Sequence, residues 1–401
     1  MNDSRFPAWP VCGDDEIKAA ERVLRSGKLN YWTGTEGIAF EKEFADYVGA
    51  RYAISLANGT VGLELALAAL NIGPGDEVIV PSRTFIATAS SVVARGARPV
   101  CADVDRDSQT ITAESIRPHL SERTKAIIPV HLAGWPCDMQ PILELAKRLD
   151  LWVIEDCAQA HGAKYNGQHV GTHGDIGVFS FCQDKIMTTG GEGGMLVTDR
   201  KNIWNKAWSY KDHGKSYDAV HSQNHPPGFR WLHKSFGTNW RMTEIQSAIG
   251  RVVLRKLDSW VKTRRCHADF YQRALGDCSA LRVPIPTSRE SHSFYKFYAF
   301  VQPEKLLPTW TRDRLVAEIA AQGIPCFTGS CSEIYLEEAF PEEWRPLRRH
   351  PVARELGETS LMFLVHPGLK DFHLRHIRAV LTNVLNSATA PISSLGERKI
   401  A

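Results

Sequence analysis

The strongest constraint on the fold is an alternation of short β-rich runs with helical patterns between residues 51 and 198. Repeated strand and helix units of this kind build a mainly parallel sheet with helices on its faces. We predict seven strands, at residues 52–56, 77–80, 99–103, 126–131, 151–155, 177–181 and 195–198. Several runs between them have helical length and apolar spacing, which predicts helices at residues 60–70, 85–95 and 139–149. The chain is therefore predicted to contain an α/β domain.

The pattern changes beyond residue 241, where the regular alternation stops. Residues 242–275 contain no proline and one glycine, which predicts a single long connecting helix. Residues 276–385 mix strand and helix patterns without the earlier rhythm, which predicts a smaller C-terminal α+β domain. We assign residues 1–241 to an N-terminal segment and the large domain, and we expect the polar residues 386–401 to form a flexible tail.

Composition narrows the possible function classes. The 401 residues include 48 Lys and Arg against 45 Asp and Glu, for a formal net charge of +3. This near balance provides no broad electrostatic field for nucleic acid or an anionic membrane. No apolar run approaches the roughly 20 residues of a spanning helix, and the nine cysteines form no CxxC pair, which is typical of reduced thiols. We predict a cytoplasmic protein without a nucleic-acid partner, a membrane partner or a metal site.

Polar residues follow several predicted strands, at the edge where ligands bind in open α/β sheets. Singly, each has an ordinary interpretation as a helix cap, a core aromatic, a capping acid or a surface lysine. Together, they supply what pyridoxal phosphate requires: a lysine for a Schiff base, an acid for the pyridine nitrogen, an aromatic face for the ring and a helix terminus for the phosphate. Glu155, the residue before Asp156, is an alternative candidate for the acid. The residues are Asn58, Gly59, Thr60, Phe85, Asp156, Ala158, Gln159 and Lys185.

The same region carries a family resemblance. Residues 154–163 read IEDCAQAHGA, residues 174–177 read GDIG, residues 179–181 read FSF, and Lys185 leads to TTGGEGG at residues 188–194. In this order and spacing, almost the whole chain resembles the DegT/DnrJ/StrS-type sugar aminotransferases, which are fold type I pyridoxal phosphate enzymes. The resemblance implies an α/β large domain with a mainly parallel seven-stranded sheet flanked by helices, plus a smaller C-terminal α+β domain.

The resemblance also implies a role for each matched residue. Lys185 forms the Schiff base and is the catalytic residue that moves protons. Asp156 pairs with the pyridine nitrogen, and Gln159 bonds the ring hydroxyl. Arg241 is implied to orient the substrate. A homodimer with shared active sites is implied as well. The remaining cofactor contacts are the phosphate ligands Gly59, Thr60 and Ser180, the ring-stacking pair Phe85 and Ala158, and Asn239, which reaches the cofactor phosphate of the partner subunit.

The resemblance implies that glutamate donates the amino group and that a nucleotide-linked keto-deoxysugar accepts it, for surface polysaccharide or glycosylated-metabolite synthesis. Asn58 and Trp240 depart from the serine and tyrosine that are usual at these positions, which bears on the substrate more than on the cofactor. Related dehydratases carry histidine in place of the lysine, and Lys185 argues against that activity. Two alternatives stay open: an aminotransferase acting on a free cyclitol or other cyclic ketone, and a non-catalytic binding protein.

Residues 210–234 are rich in basic, histidine and aromatic residues without clear periodicity. One interpretation is a loop that clasps a diphosphate and a base through charge-assisted hydrogen bonds and stacking. The other is a solvated connection. The histidines of this segment match no metal-binding spacing, so the prediction of no metal site stands. They are His213, His221, His225 and His233.

Overall fold

We describe the fold from a computed structural model, which covers residues 6–221 and 231–389. In chain order, its strands are β1 (Tyr52–Leu56), β2 (Glu77–Pro81), β3 (Arg98–Ala102), β4 (Thr124–Ile127), β5 (Trp152–Asp156), β6 (Lys164–Tyr165), β7 (Gln168–His169), β8 (Ile176–Ser180), β9 (Gly194–Thr198), β10 (Leu281–Arg282), β11 (Glu290–Ser291), β12 (Phe297–Val301), β13 (Cys326–Phe327) and β14 (Ser360–Phe363). Its α-helices are α1 (Asp14–Ser26), α2 (Glu36–Val48), α3 (Gly59–Ala69), α4 (Ala87–Ala94), α5 (Ala113–Ile116), α6 (Met139–Arg148), α7 (Lys201–Lys211), α8 (Tyr217–His221), α9 (Glu244–Leu254), α10 (Leu257–Leu275), α11 (Arg312–Ala321), α12 (Pro351–Thr359) and α13 (Asp371–Thr389).

A seven-stranded sheet forms the centre of the large domain, in the order β1-β9-β8-β5-β4-β2-β3. The neighbouring strands from β8 to β3 are parallel, while β9 is antiparallel to both β1 and β8. The predicted α/β class and mainly parallel sheet are therefore confirmed. β4 ends at Ile127 rather than at residue 131, because Pro129 has no N–H to donate to the ladder, and the pairing resumes as an isolated bridge between Val130 and Asp156.

Side chains alternate between the two faces of the sheet, as the pleat of each strand requires. Val178 packs in a core with Leu65 of α3 on one face. Phe179 packs against Phe44 of α2 on the other, with 5.0 Å between the ring centres. Each fully buried apolar side chain of this size stabilises the fold by about 1.5–3 kcal/mol. Helices thus cover both faces, and the carboxyl ends of the parallel strands remain accessible at one edge.

The predicted single connecting helix over residues 242–275 is wrong, because the chain forms two helices, α9 and α10, that meet at Arg255 and Lys256. No glycine or proline marks this break. Instead, the Lys256 ammonium pairs with Glu16 and with Asp15 (2.7 Å) in α1, and the Lys256 N–H donates to the Val253 carbonyl in a tightened turn. α9 packs against α1 and α2, whereas α10 packs against α13. Tertiary contacts therefore set the break, which redirects the chain towards the C-terminal sheet.

The C-terminal part contains a four-stranded antiparallel sheet, β10-β12-β14-β13, whose core includes residues of α10, α11 and α13. This agrees with the predicted smaller α+β unit. Phe6 of the N-terminal segment also packs in this core rather than with the large sheet. The proposed domain boundaries at residues 241 and 275 stay predictions.

The predicted flexible tail begins too early. α13 extends to Thr389, because Leu385 and Ala388 are buried in the core of the C-terminal part. Residues 386–389 are therefore helical, and residues 390–401 lie outside the described residues. Of the predicted loop at residues 210–234, residues 222–230 also lie outside them, so its role as a clasp stays a prediction.

None of the helices in the described ranges combines the length and the apolar character that crossing a bilayer requires. The cytoplasmic location stays a prediction.

Candidate active site

A cavity of about 830 Å³ opens where β5 and β8 end and α3 begins. Its walls also include Tyr298 of β12 and Met362 of β14, from the C-terminal sheet. This is the edge at which ligands bind in open α/β sheets. Nine of the predicted site residues line it, namely Asn58, Gly59, Thr60, Phe85, Asp156, Ala158, Gln159, Ser180 and Lys185.

The first turn of α3 forms one end of the cavity. Asn58 caps this helix, because its side-chain oxygen accepts a hydrogen bond from the Val61 N–H (3.0 Å), and asparagine caps helices about as well as serine does. A Cβ atom on Gly59 would lie 2.7 Å from that of Ser180, so glycine lets the helix approach β8 this closely. The N–H groups of the first turn and the hydroxyls of Thr60 and Ser180 can therefore bind a phosphate.

Asp156 ends β5 inside the cavity and is 5% exposed. One of its carboxylate oxygens accepts a hydrogen bond from the Thr88 hydroxyl (2.9 Å), and the other accepts one from the Ala158 N–H (3.1 Å). Burial raises the pKa of Asp156, and these hydrogen bonds and the charge of Lys185 offset that effect only in part. A buried carboxylate in this state is stabilised by a cationic N–H partner, such as the protonated nitrogen of a bound ring.

Glu155, the alternative acid, points away from the cavity. Its carboxylate accepts hydrogen bonds from three backbone N–H groups at residues 171–174 (each 2.7 Å) and from the His131 ring (3.0 Å). Although burial acts to raise it, these donors lower the pKa of Glu155. Asp156 is therefore the acid that can meet a ligand.

Potential metal ligands gather at His131, Glu155 and Cys157 within the described part of the chain. His131 Nδ1 accepts a hydrogen bond from the Cys137 N–H (2.9 Å), so its other nitrogen carries the proton that it donates to Glu155. Burial raises the pKa of the Cys157 thiol to about 12, which keeps it protonated at neutral pH. This arrangement fixes the end of β5 by hydrogen bonds. The exposed residues His213, His221 and His233 lie outside it, and His225 lies outside the described residues.

Lys185 follows β8 after a short turn, in which its N–H donates to the Cys182 carbonyl (3.1 Å). Its side chain is 16% exposed, and its ammonium lies 3.8 Å from an Asp184 carboxylate oxygen and 5.1 Å from the centre of the Tyr295 ring. Trp9 of the N-terminal segment donates a hydrogen bond to the Lys185 carbonyl (2.9 Å). Contacts from three parts of the chain thus position Lys185 at the cavity.

The remaining predicted contacts suit a planar ring. The side-chain oxygen of Gln159 accepts a hydrogen bond from the Ala133 N–H (2.8 Å), which leaves its amide nitrogen to donate to a ligand oxygen. Phe85 is 67% exposed at the cavity, and Ala158 also lines it. An aromatic face and a small side chain can sandwich a ring between them.

Two predicted residues lie outside the cavity wall. Asn239 is exposed and forms an isolated backbone bridge with Asp212. Arg241 forms an ion pair with the buried carboxylate of Asp212. Within one chain, the position of Arg241 does not favour the predicted substrate contact, and the reach of Asn239 into a partner subunit stays a prediction.

Sequence reasoning assigned no role in the site to several residues that line the cavity, among them Thr88, Asp184, Tyr295 and Lys296. A partial signal existed for Thr88, because it follows Thr84 by four residues, a spacing that brings side chains together in a helical turn. In the structure, the two hydroxyls are 3.0 Å apart. The Tyr295 hydroxyl donates a hydrogen bond to the Asp184 carboxylate, although the two residues are 111 positions apart in the sequence. No local pattern connects residues so far apart, so the contribution of the C-terminal part could not be predicted.

The donor set of the cavity fits pyridoxal phosphate. A Cβ atom on Gly59 would fill the space beside Ser180 at the helix terminus, as expected for a phosphate cradle. A primary amine, a buried acid and an exposed aromatic face stand at the same cavity, where they match the aldehyde, the pyridine nitrogen and the ring.

Comparisons with known proteins agree with this chemistry. Residues 10–382 match the DegT/DnrJ/EryC1/StrS aminotransferase family. The chain is 36% identical to a GDP-perosamine synthase of Escherichia coli O157:H7, over 84% of this chain and 87% of that protein. It is 37% identical to a GDP-perosamine synthase of Caulobacter vibrioides, over 88% of this chain and 92% of that protein. The solved structure of an aminotransferase from Psychrobacter cryohalolentis is 51% identical with a TM-score of 0.94, covering 96% of this chain and 99% of that one.

Proposed function

Because the chain belongs to the DegT/DnrJ/EryC1/StrS aminotransferase family, we propose that it transfers an amino group from glutamate to a nucleotide-linked keto-deoxysugar. Its general activity is that of a pyridoxal phosphate-dependent aminotransferase of fold type I. Similarity to two GDP-perosamine synthases supports a nucleotide-sugar acceptor. The product would be a nucleotide-linked amino sugar for a surface polysaccharide or a glycosylated metabolite.

The observation that carries this proposal is the presence of Lys185 and Asp156 at one cavity of about 830 Å³. The amine and the acid are the two groups that amino transfer needs from the protein. The volume lies within the roughly 300–1,000 Å³ of small-molecule sites, towards the upper end. This leaves room for an acceptor larger than an amino acid.

The residues of the cavity have separable tasks. Bound pyridoxal phosphate supplies an electron sink, which acidifies the carbon that carries the amino group. Asp156 holds a proton at the pyridine nitrogen. Lys185 Nζ would hold the cofactor aldehyde, and as a free amine it would take a proton from the donor carbon and return one to the acceptor carbon. Asp184 and Tyr295 position that amine, and Phe85 shields one ring face from water.

Absorbance of the purified holoenzyme tests the substrates directly. Glutamate alone is expected to convert the pyridoxal form of the cofactor to the pyridoxamine form, and one of a panel of nucleotide-linked keto sugars is expected to restore it. No change with glutamate would exclude it as the donor. Restoration by a free cyclic ketone, with none by any nucleotide sugar, would favour the cyclitol alternative.

We also propose that the functional unit is a homodimer in which Asn239 contacts the partner's cofactor phosphate. Asn239 is exposed and lies outside the cavity of its own chain. It is close in sequence to two large apolar side chains, Trp231 and Phe236, which are 83% and 99% exposed. Burial of apolar side chains of this size against another protein surface would be favourable. A second copy of the chain would cover them and receive Asn239.

Mixing two inactive variants tests this arrangement. Asn239→Asp would place a carboxylate beside the partner's phosphate and is expected to lower turnover, whereas Lys185→Ala removes the reacting amine. In a hybrid dimer, one of the two sites would contain both native residues, so an equimolar mixture is expected to recover about one quarter of wild-type turnover. Size-exclusion chromatography verifies subunit exchange. An exchanged mixture that stays inactive, or full activity of Asn239→Asp alone, would contradict a shared site.

A further inference from the structure

A second, smaller cavity of about 140 Å³ adjoins the cofactor cavity. Asp184, Tyr295, Lys296 and Leu364 line both. The rest of its wall comes from the N-terminal segment, from α10 and from the chain after β14, including Trp9, Arg264 and His366. It therefore lies directly behind the residues that position Lys185.

Among residues 6–221 and 231–389, buried hydrogen-bond donors in the wall of this smaller cavity have no partner. Arg264 is 2% exposed; its Nη1 donates to the Tyr295 carbonyl (3.2 Å) and weakly to that of Phe294 (3.5 Å), while its Nε and Nη2 have no partner. His366 is 3% exposed, and neither of its ring nitrogens has a partner. Buried polar groups are nearly always hydrogen-bonded in native proteins. Two such side chains on one small cavity indicate that it receives a polar ligand.

The charge at this cavity is positive. Arg264 forms no ion pair within the described ranges, and Asp184 is the acidic residue of the lining. Asp184 already interacts with Lys185 and accepts the Tyr295 hydroxyl. Burial lowers the pKa of Arg264 to about 9 and that of Lys296 to about 8, and the nearby Asp184 carboxylate offsets this effect only in part. A buried cation in this state gains from a bound anion.

The volume restricts the anion. A cavity of roughly 150 Å³ accepts a molecule about the size of benzene, which rules out a nucleotide or a hexose but not a carboxylate on a short chain. We propose that Arg264, His366 and Lys296 form a subsite that binds a carboxylate group of the amino donor. After a small rotation towards the cavity, the guanidinium can offer the N–H groups of Nε and Nη2 to the carboxylate, and the neutral imidazole can donate a further hydrogen bond. The identity of the ligand as an amino donor rests on the proposed function, whereas the carboxylate affinity of the subsite does not.

Calorimetric titration of the holoenzyme with glutarate, a dicarboxylate that has no amine to transfer, tests the subsite. Wild-type protein is expected to bind glutarate, and Arg264→Gln is expected to weaken binding by at least about tenfold. Arg264→Lys keeps the charge, and its affinity for glutarate is expected to lie between those of wild type and Arg264→Gln. Arg265→Gln is the matched control, because Arg265 is the next residue of α10 but donates to Ser291 and His292 instead.

A second variant protects the test against misfolding. His366→Leu removes ring nitrogens that make no hydrogen bond in the protein, and it is also expected to weaken glutarate binding. If Arg264→Gln does not fold, the glutarate affinity of His366→Leu alone decides whether the subsite exists. Glutarate binding that equals wild type in the folded variants, or no glutarate binding by wild-type protein, would overturn the subsite.

Kinetics separate the subsite from the proposed function. With Arg264→Gln, the KM for glutamate is expected to rise, while the single-turnover rate from the pyridoxamine form to the keto sugar stays near that of Arg265→Gln. If wild-type protein binds glutarate through Arg264 but aminates no nucleotide sugar, the proposed acceptor fails and the subsite stands. An equal loss in both half-reactions would show a structural role for Arg264 and contradict a donor subsite.

Discussion

Lys185→Ala is expected to abolish amino transfer while leaving the fold intact. The variant loses the amine that binds the cofactor covalently and also the group that moves the proton, and proton transfer alone contributes roughly 100- to 10,000-fold. The side chain contributes modestly to stability, because its contacts are a 3.8 Å approach to Asp184 and a cation–π contact with Tyr295, worth about 0.5–2 kcal/mol for a largely buried cation. Turnover with glutamate and the acceptor, together with thermal unfolding, measures both effects.

Borohydride reduction followed by mass spectrometry tests the assignment without relying on activity. The treatment is expected to fix pyridoxal phosphate to wild-type protein and not to Lys185→Ala. Lys201→Ala is a suitable control, because Lys201 is an exposed lysine at the start of α7. A reduced adduct that persists in Lys185→Ala and disappears in another lysine variant would show that the reacting amine is elsewhere.

The large-domain half of the site could be predicted because its residues follow strands of one parallel sheet. The carboxyl ends of such strands meet at one edge, so the order of Asp156 and Lys185 along the chain was enough to place both at one cavity. The family resemblance implied Asp156, but the strand pattern alone could not decide between Glu155 and Asp156, since adjacent strand residues point to opposite faces and either face could have held the site. The hydrogen bonds from residues 171–174 favour Asp156, because they occupy the carboxylate of Glu155.

The C-terminal half of the site could not be predicted, because its contacts join distant parts of the chain. Lys296 and Arg264 reach the cavities only through the packing of the C-terminal sheet and α10. The break between α9 and α10 has the same origin, since Lys256 pairs with residues of α1 rather than following a local breaker. Periodicity and turn chemistry report on neighbours within a few residues, which is why the elements were predicted better than their mutual contacts.

Amide substitutions at the neighbouring acids Asp156 and Glu155 are expected to have opposite effects. The first is expected to lower turnover, and the second is expected to lower stability. Asp156→Asn keeps the shape of the side chain but cannot hold a proton at the pyridine nitrogen, so turnover is expected to fall by roughly 100-fold or more. Stability is not expected to fall with it, because the amide oxygen can still accept from the Ala158 N–H, while the Thr88 hydroxyl can turn to accept from the amide nitrogen. Because burial raises the pKa of Asp156 in the folded protein, its ionised form destabilises the native state at neutral pH. Cofactor-free Asp156→Asn is therefore expected to unfold at the same temperature as wild type or at a higher one.

Glu155→Gln is expected to behave in the opposite way. Hydrogen bonds from His131 and from the N–H groups of residues 171–174 lower the pKa of Glu155 despite its burial, so its charge stabilises the native state at neutral pH and is lost only in acid. An amide offers one oxygen where the carboxylate offers two, which leaves buried donors unpaired at a cost of about 1–3 kcal/mol each. Thermal unfolding of the cofactor-free variants, and turnover per folded molecule, measure the two effects separately. A large loss of turnover in Glu155→Gln at full cofactor occupancy, with near-normal turnover in Asp156→Asn, would reverse the assignment of the acid.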